Sequence, residues 1–164
     1  LLVSLYESAT GTPRGSLTIP SFKVSPSPPT RSLAIWRDVA FGDTLLLASR
    51  DPLPEAAAPG DSLTLRAQWQ AQKPVSSILT TFLHLVAPDG TLAAQTDFAP
   101  DYPPTLWGPG EVVELSYTLT IPDTLAPGAY ELRLGWYDSA TLERIPARSE
   151  EAVDEALRLG NVER

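Results

Sequence analysis

The chain reads as an all-β protein, one antiparallel β-sandwich of about eight or nine strands with Ig-like or jelly-roll connectivity. Two observations predict it. Three Pro-Gly pairs each open a run of alternating apolar and polar residues: Pro59-Gly60 before SLTLRAQW, Pro109-Gly110 before EVVELSYTLTI, and Pro127-Gly128 before YELRLGWY. Proline presets φ at the second position of a turn and glycine accepts the positive φ of a type II turn at the third, so each pair is a corner that feeds a strand. Within the runs the apolar residues share one face: Leu63, Leu65, Ala67 and Trp69; Val113, Leu115, Tyr117, Leu119 and Ile121; Tyr130, Leu132, Leu134 and Trp136. Ser62, Thr64, Arg66 and Gln68, then Glu114, Ser116, Thr118 and Thr120, then Glu131 and Arg133 take the other, the alternation of half-buried strands.

Taken in order, residues 2–7 and 16–24 read as strands of a hairpin turning at Ser8-Ala9-Thr10-Gly11. The tract SPSPPT that follows is too rich in proline to join a central strand, so an extended connector over residues 25–31 divides an N-terminal hairpin, 1–24, from a sandwich domain, 32–164. Short apolar runs at 33–36 and 44–48 precede a Pro- and Ala-rich stretch, 51–59, with room for at most one helical turn. Strands are expected at 62–70, 77–87, 91–98, 111–121 and 129–137, with Pro88-Asp89-Gly90 closing a hairpin. The segment APDYPPTLWGPG, residues 99–110, holds too many prolines for a strand and forms an irregular crossover. A short strand at 144–147, an acidic loop or single helical turn at 149–155 and a final strand at 156–162 complete the chain. Tyr6-Glu7-Ser8-Ala9-Thr10 echoes Tyr137-Asp138-Ser139-Ala140-Thr141. Two origins are open: the hairpin ends a preceding copy of the sandwich, or one turn chemistry is used twice. If the two turns share a geometry, Leu142 stands where Gly11 does and takes a left-handed conformation.

The 164 residues suffice for one domain with a core of its own, and without cysteine no disulfide holds it. A formal charge of −8, with basic residues scattered singly, argues against nucleic acid as a partner. No apolar stretch reaches the length of a membrane span, and the Leu-Leu start without methionine suggests a piece of a longer protein. His84, the single histidine, has no triad partner identifiable by spacing and there is no G-x-S-x-G motif, so an enzyme is not expected and a His84 bonded to a neighbouring strand is. Asp89 and Asp138 are read as turn residues bonding nearby backbone N–H groups. No cofactor motif or metal-ligand spacing occurs; Asp97 and Asp101 flank the proline loop, where a structural Ca²⁺ is conceivable. Trp69, Tyr117, Tyr130 and Trp136 are in phase with the core. Tyr102 and Trp107 lie outside strand phase, which leaves two roles open: capping one end of the sandwich, or stacking on a sugar ring beside Asp97 or Asp101.

Trp69, Phe82-Leu83-His84-Leu85, Asp89-Gly90, Trp107 with Pro109-Gly110-Glu111, Pro127-Gly128 with Tyr130, Tyr137-Asp138 and Leu159-Gly160 carry a resemblance across residues 32–163. In them the chain resembles the extracytoplasmic β-sandwich domain of large multi-pass bacterial membrane proteins, often glycosyltransferase-like. The resemblance implies an outer-side location, a membrane-anchored parent protein or neighbouring sandwich as partner, and catalysis elsewhere than in this domain. The expected function is a non-catalytic accessory, interaction or spacer domain, with a carbohydrate-binding module as the alternative.

Overall fold

The computed structural model describes the backbone of residues 2–6, 13–18 and 35–164, and side-chain environments from Asp38 onward. Strands β1 (Leu2–Tyr6) and β2 (Pro13–Thr18) pair with each other. The expected turn at Ser8-Ala9-Thr10-Gly11, the end of the second expected strand and the connector at 25–31 lie outside the described residues. Tyr6 pairs with Pro13 as Tyr137 pairs with Arg144, so the sequence echo is matched by an equivalent ladder register.

The remainder is a sandwich of two antiparallel sheets. Strands β3 (Ile35–Phe41), β4 (Leu45–Arg50), β5 (Ser62–Ala71) and β8 (Val112–Thr120) lie side by side in that order in a five-stranded sheet, with β11 (Ala147–Arg148) on the free edge of β3. The six-stranded sheet runs β12 (Ala152–Val153), β13 (Ala156–Glu163), β9 (Ala129–Asp138), β6 (Leu79–Val86) and β7 (Leu92–Phe98), with β10 (Arg144–Ile145) also on β9. Eight strands of six residues or more match the expected number; the other three have two residues each. The chain crosses between sheets so that β5 neighbours β8 and β6 neighbours β9, the Greek-key interlock of Ig-like sandwiches. The expected strand at 144–147 is divided at Pro146, where the chain leaves one sheet for the other: a residue without an N–H cannot continue a ladder. Residues 51–59 contain no helix, only an isolated bridge between Ala56 and Glu163. The acidic segment turns back as β12.

Two of the three corners are as the sequence demands. Gly60 and Gly110 have φ of 80° and 82°, and Asp61 N–H to Ala58 and Glu111 N–H to Gly108 close the turns. The third differs. Gly128 has φ 159°, because its N–H is drawn to the Arg164 carbonyl and the corner opens into a ladder with the C-terminal residues. The strand β3 runs towards the pole that holds the 99–110 crossover and β13 runs away from it, so chain entry and exit both lie on the opposite side.

Every in-phase residue of the three alternating runs is buried in one core. Within it a hydrogen-bond chain joins the sheets. Thr81 Oγ1 donates to the Gly135 carbonyl at 3.0 Å, so its one proton is used and the Tyr117 hydroxyl donates to Thr81 at 2.8 Å. Trp69 Nε1 then donates to the Tyr117 oxygen at 3.0 Å. Burial pushes the Tyr117 phenol far above its ordinary range, which keeps it a neutral donor at all working pH.

Leu142 has φ 62°, the left-handed conformation expected from the echo, and is 71% exposed. Asp138 holds this turn by accepting from the N–H groups of Ala140 and Thr141, and these bonds depress its pKa. Asp89 does the same in the other hairpin through the hydroxyl and N–H of Thr91. Left-handed geometry costs a leucine about 1–2 kcal/mol, partly offset in a glycine by its greater unfolded-state freedom. Leu142→Gly is therefore expected to raise stability by up to about 1 kcal/mol; a lowered urea midpoint would refute the strain.

Candidate functional site

The structure separates the four residues singled out as a ligand site. Trp107 is 3% exposed, its indole N–H bonded to the Tyr102 carbonyl at 2.9 Å and its ring edge-on to Trp136 at 6.0 Å. It caps the core, and the alternative of an exposed stacking surface is corrected: the short 3₁₀ turn Pro104–Leu106 folds the loop back over the sheet ends and turns the ring inward. Tyr102 is half-buried, and its hydroxyl lies 3.0 Å from the Leu106 carbonyl and 2.9 Å from Glu111 Oε1. Glu111 also accepts from Gly108 N–H, so Tyr102 and Glu111 fasten the crossover. Asp101 is exposed. Asp97 turns to the outer face of the six-stranded sheet and meets His84. Among the described residues no group of three or more His, Asp or Glu is arranged to hold a metal ion.

That outer face holds the arrangement that sequence reasoning missed. On β6, Phe82, His84 and Val86 alternate outward; opposite them on β9 stand Gly135, Arg133 and Glu131. Phe82 is only 1% exposed although it points away from the core. Its ring lies over Gly135, where a Cβ would fall 2.6 Å from Cε1, so glycine is what makes the seat. Arg144 covers it at 5.0 Å, and the rings of His84 and Tyr137 flank it at 4.3 and 6.2 Å.

His84 Nε2 lies 3.2 Å from Asp97 Oδ1. Desolvation lowers its pKa below the ordinary 6.5; Asp97 opposes the shift, and Arg144 and Arg133 add to it. The folded chain thus binds fewer protons than the unfolded chain below that value. Stability attributable to His84 is present above pH 6.5 and is lost as pH falls through the window beneath it. Urea titrations between pH 7.5 and 5 are expected to show this loss, and His84→Gln to flatten it; an unchanged slope in the variant would assign the loss to other groups.

Further along the face, Glu131 clamps two guanidiniums. Its Oε1 accepts from Arg133 Nε at 2.6 Å and its Oε2 from Arg158 Nε at 2.9 Å, while Arg133 also reaches Asp154 at 2.7 Å. Glu131, Arg133 and Arg158, with Asn161, Val86 and Pro88, border a depression of about 350 Å³. The Asn161 amide has no hydrogen-bond partner among the described residues. The depression thus combines charged forks held in place, a free amide and an apolar flank. The signal available in sequence was the outward phase of Arg133 and Glu131; the placing of Arg158 and Asn161 opposite them depends on the irregularity in the β13 ladder between Arg158 and Gly160.

The chain overlays on the C-terminal domain of wzt with a TM-score of 0.51 at 10% sequence identity, over 74% of this chain and 75% of that one. The likeness is one of fold. A Niemann-Pick type C2 protein from the Japanese carpenter ant aligns with a TM-score of 0.43 at 10% identity, over 79% of this chain and 98% of that one. No protein-family model matches the chain, and neither does a curated protein.

Proposed function

We propose that this sandwich is a non-catalytic binding or interaction domain of a bacterial surface or membrane protein, working on the outer side of the membrane, and that the outer face of its six-stranded sheet is the surface it presents. The observation that carries the reading is the Glu131 clamp. A surface arginine ordinarily samples many rotamers; here one carboxylate holds two forks beside an uncommitted amide, so their remaining N–H donors are oriented before any partner arrives. The extracytoplasmic setting and the membrane-anchored parent rest on the sequence resemblance; the non-catalytic reading rests on it and on the lack of a spaced triad partner for His84 and of a G-x-S-x-G motif in the sequence.

A glycan is the ligand class that the depression favours. Arginine, asparagine and glutamate offer paired donors and acceptors to vicinal hydroxyls, while the exposed Pro88, beside the buried Val86, supplies the apolar flank that the C–H face of a sugar meets. The loop aromatics are not needed for it. Electrophoresis through gels containing dextran, alginate or xylan tests both statements. Retardation by one polysaccharide, abolished in an Arg158→Ala/Asn161→Ala variant, supports the glycan reading. Equal mobility in all gels leaves a protein-contact or spacer role, and hydrolase or transferase activity in the domain would overturn the proposal.

A further inference from the structure

The two sheets have four outer strands, and three of them are guarded. The strands β11 and β12 have two residues each, too short to template another chain. The ladder of β7 with β6 is irregular between Leu85 and Val86, and β7 is the shorter strand, with seven residues. In contrast, β8 has nine residues, pairs with β5 without any register shift, and contains neither proline nor lysine. Among the described residues no strand pairs with its other edge.

Ile121 exchanges backbone bonds with Gly60 and Asp61 on the β5 side, which fixes the alternation: odd-numbered residues of β8 face β5 and even-numbered ones face outward. Val112, Glu114, Ser116, Thr118 and Thr120 therefore present their N–H and C=O groups at the open edge. From this contrast we infer that β8 pairs with β8 of a second copy of this chain, antiparallel about a two-fold axis through Ser116, making one continuous ten-stranded sheet from two five-stranded ones.

The register follows from the residues. Centred on Ser116, all nine positions are paired, Glu114 faces Thr118 and Val112 faces Thr120, so no like charges meet. A centre at Glu114 would oppose two carboxylates and leave the strand ends unpaired. Five outward residues on each chain give about ten hydrogen bonds between the copies. Glu114 accepts from Gln68 of its own chain at 3.3 Å, which holds its carboxylate over the sheet and away from the seam.

Ser116 is exposed and, at the axis, faces its own copy, which gives the test its form. The full chain, examined by light scattering and sedimentation from micromolar to millimolar, is expected to reach twice its mass of 17.7 kDa. Ser116→Lys and Ser116→Glu should each stay at the single mass, with the melting temperature of wild type at dilutions where wild type is single too, since like charges meet only in the pair. Mixed in equal amounts, they should recover the double mass. Wild type remaining single at millimolar concentration, Ser116→Lys still pairing, or a mixture that stays single would each overturn the inference. If either substitution unfolds the domain, hydrogen exchange of wild type decides. Slowing of the Glu114, Ser116 and Thr118 amides with concentration supports the pairing, and concentration-independent exchange refutes it.

Discussion

Replacing Trp107 by alanine is expected to cost about 3–5 kcal/mol, the range for emptying a buried tryptophan site. For a domain of ordinary stability this is a large part of the whole. The ring ends an aromatic series through the core: Phe41 packs on Trp69 at 5.0 Å, Trp69 on Trp136 at 5.2 Å, and Trp136 on Trp107 at 6.0 Å. Removing the last member opens Trp136 to solvent and frees the Tyr102 carbonyl. Leu106→Ala in the same loop, at a side chain 57% exposed, is expected within about 0.5 kcal/mol of wild type. Thermal melts of both variants decide the matter: if Trp107→Ala melts like Leu106→Ala, the indole is not part of the core.

The second large effect lies on the opposite side of the sheet. Gly135→Ala places a methyl group where the Phe82 ring sits, with Cε1 at 2.6 Å and Cζ closer still. Two backbones hydrogen-bonded in one sheet cannot separate to make room, so the ring must leave its seat, uncovering apolar surface and dispersing His84, Tyr137 and Arg144. The expected loss is about 1–3 kcal/mol, typical of overpacking. A double-mutant cycle supplies the check. With Phe82 already changed to alanine, Gly135→Ala should cost much less; equal costs in both backgrounds would mean that the glycine serves something other than the ring.

These two sites mark where the sequence was readable and where it was not. Period-two alternation exposed the core because burial on one face of a strand leaves a local trace: Leu63 to Trp69, Val113 to Ile121 and Tyr130 to Trp136 all lie inside. Leu142 was legible by comparison with Gly11 in the echoed turn, and Asp89 and Asp138 by the short-range chemistry of turns. Phe82 was not, since in the unbroken run TFLHLV no alternation tells inward from outward. Its burial requires Gly135, more than fifty residues away in sequence but its direct neighbour in the ladder. Trp107 was ambiguous for a related reason. A residue outside any strand has no phase, and only the fold of the loop decides which way it turns. The proposed binding face combines β6, β9 and β13, so its convergence is a property of strand order, which composition and spacing do not encode. The Gly128 corner departs from expectation because its N–H found a partner in Arg164 at the far end of the chain.

The shared side of chain entry and exit has a mechanical consequence. A tension applied between the start of β3 and the end of β13 pulls on two strands that leave from the same side, one in each sheet. Their ladders with β4 and β9 open from that side rung by rung, as a zipper does, instead of resisting together in shear. A domain pulled in this way is expected to open at a lower force than one whose pulled strands leave from opposite poles and must shear together.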